Sequence, residues 1–254
     1  MKQFNIANLE VMSDQAAVAA AVAKQLVEQI AQAESYFTLA LSGGSTPKVL
    51  FNELVSNYAD SVDWQRVRFF WGDERCVPPD DEQSNFKMAN ELLLQPLTIK
   101  PEQVFRIRGE DRPGDEAIRY AEQIKEVVTT NSNGLPEFDF MMLGMGADGH
   151  TASIFPHQMD LLTAENVCAV ATHPETGQKR VTITGPTINA SRQIVFMITG
   201  DAKAKVVDEI VNLCGDWESY PTSHIGVVTK STESSTGDDA RLSFFLDESA
   251  ASLL

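Results

Sequence analysis

Short apolar runs that do not alternate with polar residues, each followed by a stretch with helical periodicity, constrain this 254-residue chain more than any other feature. A strand with one wet face alternates in polarity, whereas a strand buried on both faces is apolar throughout. Residues 36–41, 67–71, 138–143 and 194–199 are runs of the second kind. Between them lie helical patterns. In residues 13–33, Val18, Val22, Leu26 and Ile30 recur every four positions behind Ser13, a candidate cap. Pro47 suits the first turn of a helix through residue 57, and residues 85–94, 113–130 and 201–213 complete the set. Further strands are expected at 167–171, 181–184, 225–229 and 242–246, with a short helix at the end. Residues 231–239, STESSTGDD, read as a polar turn. Strands separated by helices imply an α/β fold: a mostly parallel sheet with helices on both faces, a Rossmann-like three-layer sandwich. We expect a single domain over residues 1–254, with residues 160–200 as a small subdomain.

Charge and cysteine content narrow the function classes. Twenty Lys and Arg against thirty-six Asp and Glu give a net charge of −16, which disfavours wrapping nucleic acid. It leaves room for one small basic pocket. The longest apolar run, Ala16 to Ala23, is far below the ~20 residues needed to span a bilayer. The start carries no export-signal pattern, so a cytoplasmic location is expected. Cys76, Cys168 and Cys214 have neither pairing nor metal spacing, and buried apolar thiols are the expectation.

In open α/β sheets ligands bind beyond the carboxyl ends of the strands. Three loops occupy such positions: 42–46, 72–78 and 144–156. In the first, Gly43 and Gly44 let the backbone approach an anion, while Ser42, Ser45 and Thr46 add hydroxyl donors ahead of a helix N-terminus. A plain strand-to-helix turn capped by Ser45 or Thr46 is the competing reading. In the second, Arg75 offers a planar fork to a phosphate or carboxylate, with Asp73 and Glu74 orienting neighbours or bonding sugar hydroxyls. A solvated charged loop would look the same.

The third loop satisfies G-x-G-x-x-G from Gly144 to Gly149, yet Pro156 stops the long helix that a dinucleotide site needs. NAD binding is therefore not expected. The loop does offer His150 as a general base, with Asp148 two residues before it. His157, His173 and His224 lack that setting, and the four histidines show no zinc-ligand spacing. No nucleophile elbow occurs. Arg180 and Lys203 flank apolar strands and could face the same crevice, or could be surface cations with buried stems.

Taken together, LSGGSTP, WGDERCVP, FDFMMLGMGADGHTASIFP, KRVTITGPTINASRQIVFMITGDAKAKVV and FFLDESAASLL resemble the 6-phosphogluconolactonases of the pentose phosphate pathway, in order and over nearly the whole chain. The resemblance implies a single α/β domain of the type shared with glucosamine-6-phosphate deaminases and ribose-5-phosphate isomerases. It implies hydrolysis of 6-phospho-D-glucono-1,5-lactone without metal or organic cofactor; the sequence leaves monomer and homodimer open. Carried over by position, it places the base on His150. Phosphate and substrate contacts fall on Asp73, Arg75, the Gly43–Thr46 loop, Arg180 and Lys203. A deaminase or sugar-phosphate isomerase would carry DEY and HIAFNEP-like residues, where this chain has Asp73-Glu74-Arg75 and HTASIFP from His150. A non-enzymatic sugar-phosphate sensor is the third reading.

Overall fold

Residues 8–226 and 241–254 are described by the computed structural model of the chain. Their strands are β1 (Asn8–Met12), β2 (Phe37–Leu41), β3 (Val67–Trp71), β4 (Asp73–Arg75), β5 (Phe140–Leu143), β6 (Cys168–Thr172), β7 (Lys179–Ile183), β8 (Ile194–Ile198) and β9 (Leu242–Asp247). The α-helices are α1 (Gln15–Gln32), α2 (Ser45–Tyr58), α3 (Asn85–Ala89), α4 (Pro113–Val127), α5 (Gly185–Asn189) and α6 (Ala204–Asn212).

Six strands form a parallel sheet in the order β1-β9-β8-β5-β2-β3. Every residue of β2, β5, β8 and β9 is buried, as expected of a sheet covered on both faces. The chain runs from β2 to β3 on one side, then crosses to β5 and β8 on the other. The strand order thus reverses between β2 and β5, and a crevice opens at the carboxyl ends of such a pair.

Helices α1 and α2 pack on each other and on the β8–β9 region. The free edge of β3 is closed by unlike partners. Phe105 N–H bonds to Phe69 O at 2.8 Å, and the buried Tyr120 hydroxyl both accepts from Trp71 N–H and donates to Trp71 O, each at 2.9 Å. An open edge would be a template for unwanted pairing.

A second, antiparallel sheet has the order β4-β7-β6, with α4 against the β6–β7 hairpin. It draws two strands from the 160–200 region and one from the DER segment. The charged stretch read as a loop is therefore a strand. Its charges are tolerated because each carboxylate has dedicated donors, described below.

Smaller corrections have local causes. Asp14, not Ser13, caps α1, accepting from Ala17 N–H at 2.9 Å. Helix α2 begins at Ser45 behind Gly44, with no side-chain cap, so neither Ser45 nor Thr46 serves as one and Pro47 is its third residue. The 85–94 helix leaves α geometry at Asn90: the Gln95 N–H bonds to Asn90 O at 2.9 Å, an i→i+5 bond. The 201–213 helix opens with a 3₁₀ turn, Asp201–Lys203. The C-terminal segment after β9 is turns rather than a helix, and β1, with mostly polar or exposed positions, gave no apolar signal. Ile225 and Gly226 lie in a bend; the rest of the 225–229 strand and the 231–239 turn lie outside the described residues.

Candidate active site

Loops after β2, β3, β5 and β8, four adjacent parallel strands, open onto one cavity of about 250 Å³. It is lined by Ser42, Gly43, Gly44, Ser45 and Thr46 from the first loop and by Asp73 and Arg75 from β4. Gly144, Gly146 and His150 line it from the third loop, and Arg180 and Lys203 complete the set of sequence-predicted residues. Of the predicted residues, Glu74 and Asp148 stand back from the lining, and Asp148 touches His150. The first-loop hydroxyls differ. Ser45 is exposed, whereas Thr46 Oγ1 is engaged with Thr199 Oγ1 at 2.8 Å and with Gln15, tying α2 to the end of β8.

The two glycines of the first loop have separate reasons. Gly44 sits at φ 111°, in the region that glycine alone adopts freely. Gly43 has an ordinary φ, but a Cβ there would overlap the Asn85 side-chain amide. With a glycine before Ser45 and no side chain capping it, the first N–H groups of α2 stay free for an anion.

Arg75 and Arg180 are direct partners across the β4–β7 pair. Like charges directly opposite are destabilising. Arg75 donates to Gln83 O at 2.6 Å, and Arg180 lies 3.8 Å from Asp73 Oδ2 and over the Phe155 ring. Yet the Nε of each is buried without a hydrogen-bond partner. Burial lowers the pKa of Arg180, Asp73 opposes the shift and Arg75 adds to it. Two arginines paired across the ladder and lining one cavity can supply charge to an anion there.

The carboxylates of the DER strand hold this arrangement. Asp73 Oδ2 accepts from Ser153 Oγ at 2.6 Å. Glu74 is buried and accepts from the N–H groups of Arg75, Asn85 and Phe86, each at 2.8 Å, and from Ser84 Oγ at 3.0 Å. Burial pushes its pKa up while those backbone N–H groups pull it back. Glu74 therefore orients neighbours and faces no ligand.

In the third loop, Gly149 takes φ 76° and packs against Tyr220, while a Cβ at Gly146 would strike both His150 and Asp148. The glycines thus fold the turn so that His150 Nδ1 meets Asp148 Oδ1 at 2.5 Å. Burial raises the Asp148 carboxyl, but the His150 hydrogen bond and charge outweigh it and hold it at about 2. With Nδ1 engaged, Nε2 is the ring nitrogen without a partner among the described residues. The imidazole packs on Phe155 at 4.8 Å between ring centroids, and the same ring lies 5.7 Å from the Arg180 guanidinium carbon. His150 and Arg180 thus both lie against the Phe155 ring, and both line the cavity.

Lys203 follows Gly200, whose N–H is fixed by the Asp247 carboxylate at 3.0 Å. Burial lowers the Lys203 pKa and the charge of Asp148 opposes that. The other three histidines are not on the cavity lining: His157 and His173 pack around Phe155, and His224 Nε2 contacts Glu218 O. Burial, then Glu74, pushes the Cys76 thiol to about 11, and burial raises Cys168 further. Among the described residues no helix is long and apolar enough to cross a membrane, and no three His, Cys, Asp or Glu side chains cluster as metal ligands.

Sequence reasoning missed Asn85, Ser153, Phe155 and Thr199. Ser153, Phe155 and Thr199 lie within motifs already singled out and Asn85 opens an expected helix, but the role of each depends on contacts made across the fold.

Residues 13–234 match the family described as glucosamine-6-phosphate isomerases/6-phosphogluconolactonase. A 6-phosphogluconolactonase of Treponema pallidum is 50% identical over 68% of this chain and 72% of its own length. One from Haemophilus influenzae is 40% identical over 85% and 87%. The solved 6-phosphogluconolactonase of Trypanosoma brucei superposes with a TM-score of 0.83 at 30% identity, covering 97% of this chain and 98% of that one.

Proposed function

The chain belongs to the glucosamine-6-phosphate isomerase/6-phosphogluconolactonase family, and from that premise we propose that it hydrolyses 6-phospho-D-glucono-1,5-lactone to 6-phosphogluconate. The observation that carries this reading is that two arginines with unpartnered buried Nε donors and an Asp148-held imidazole line one cavity.

The substrate's phosphate dianion sits at the free N–H groups of the α2 N-terminus, with Arg75, Arg180 and Lys203 supplying charge. That places C1 of the lactone beside His150. Asp148 accepts the Nδ1–H, which fixes the tautomer with a lone pair on Nε2. Nε2 takes a proton from water as the water oxygen bonds to C1. The carbonyl electrons move onto oxygen, and the cavity's donors stabilise that oxyanion. As the carbonyl re-forms, the bond from C1 to the ring oxygen breaks, and His150 returns its proton to the departing oxygen. The product is an open chain with a carboxylic acid, which ionises at neutral pH, and a new hydroxyl.

The cleft faces a charge problem that it solves locally. A protein of net charge −16 repels a dianion at long range, so the paired arginines are needed where the phosphate docks.

His150→Gln tests the reading. Lactone loss, followed with ammonia release in parallel, is expected to fall about 10²–10⁴-fold in kcat with the fold intact. A wild-type protein that releases ammonia from an amino sugar phosphate and leaves the lactone untouched overturns the proposal.

A further inference from the structure

Asn85 is 2% exposed and opens only onto the cavity. Its backbone N–H is taken by Glu74 Oε1 at 2.8 Å, which pins the start of α3. Its side-chain Nδ2 donates to Asp73 O at 3.0 Å and reaches Asp73 Oδ1 at 3.4 Å. Both of those oxygens can only accept, so the amide cannot be turned over. The Oδ1 atom is consequently fixed, and it is the atom nearest the point where Gly43 lacks a Cβ. No protein donor reaches that oxygen among the described residues. A carbonyl oxygen on the cavity wall with no protein donor is left to accept from a ligand or water.

We propose that Asn85 Oδ1 is a specificity-determining contact that accepts a hydrogen bond from a ring hydroxyl of the sugar; this rests on the lactonase reading above. The chemistry is one-sided. A fixed acceptor welcomes a hydroxyl and repels the phosphate and the nascent carboxylate. Asn85 therefore fixes where one ring hydroxyl lies, at the Gly43–Asn85 wall of the cavity. The absence of a Cβ at residue 43 is explained on the same terms, since any larger residue would drive the amide from its place.

The experiment uses 6-phosphogluconolactones in which single ring hydroxyls are replaced by hydrogen or by fluorine, which cannot donate. Wild-type kcat/KM is expected to fall about 10–100-fold for both replacements at one position. In Asn85→Ala the natural lactone loses a similar factor, and removing that same hydroxyl costs nothing further. A variant penalty that is equal for every analogue means that Asn85 only holds the loop, and overturns the proposal. Should Asn85→Ala fail to fold, the wild-type series decides alone: fluorine tolerated at every position overturns it. If wild type hydrolyses none of the lactones, the lactonase reading fails instead, a result distinct from either outcome.

Discussion

Asp148 and His150 are two residues apart in sequence and 2.5 Å apart in space, and the pair behaves as a unit whose charge state has a readable consequence. The Asp148 carboxyl is held at about 2, below its ordinary 3.8. A depressed carboxyl contributes stability in full above pH 4, and that contribution disappears as pH falls through about 2. Asp148→Asn should accordingly be less stable than wild type at neutral pH, with the gap closing toward pH 2 in an unfolding series. Asp148 is 45% exposed, so solvent screening keeps the gap small. An undiminished gap at pH 2 would contradict the assignment. The same variant no longer presents a carboxylate to Nδ1, so kcat should drop with little change in KM. The arginines divide the other way. Arg180→Ala should raise KM at least tenfold and weaken competition by inorganic phosphate, and unchanged competition would remove Arg180 from the anion site. Residue types at the loops were legible from the sequence because glycine, arginine and histidine have few alternatives in such places. Asn85 and Ser153 were not, since an amide or hydroxyl acquires meaning only from the partner that folding brings to it.

At the scale of elements, the apolar strands were readable because burial on both faces leaves no room for polar residues. β2, β3, β5 and β8 all emerged within about two residues of expectation. β4 was hidden for the opposite reason. Asp73-Glu74-Arg75 is polar at every position, and only tertiary partners make it a strand: Thr182, Val181 and Arg180 across the ladder, Asn85, Ser84 and Ser153 at its carboxylates. β1 escaped for a related reason, as an edge strand with exposed positions. Edge closure also supplies a stability prediction. Tyr120→Phe deletes the hydroxyl that satisfies both Trp71 backbone groups and leaves a buried N–H and C=O unpaired. The expected loss is about 1–3 kcal/mol, or a few degrees in Tm by calorimetry. An unchanged Tm would mean that other groups close that edge.

For the molecule as a whole, function follows from the order of strands. Four adjacent parallel strands deliver their carboxyl-terminal loops to one side, and the reversal between β2 and β5 spreads those loops into a crevice. The second sheet then hangs Arg75 and Arg180 over it from strands outside the parallel sheet. The two arginines thus come from the second sheet and His150 from a loop of the first, and all three line one cavity. A crystal structure with 6-phosphogluconate bound tests this arrangement most directly. The phosphate is expected against Arg180 and the first N–H groups of α2, with the C1 carboxylate within hydrogen-bond reach of His150 Nε2. A ligand lying the other way round, with its phosphate at His150, or bound outside this crevice, would contradict it.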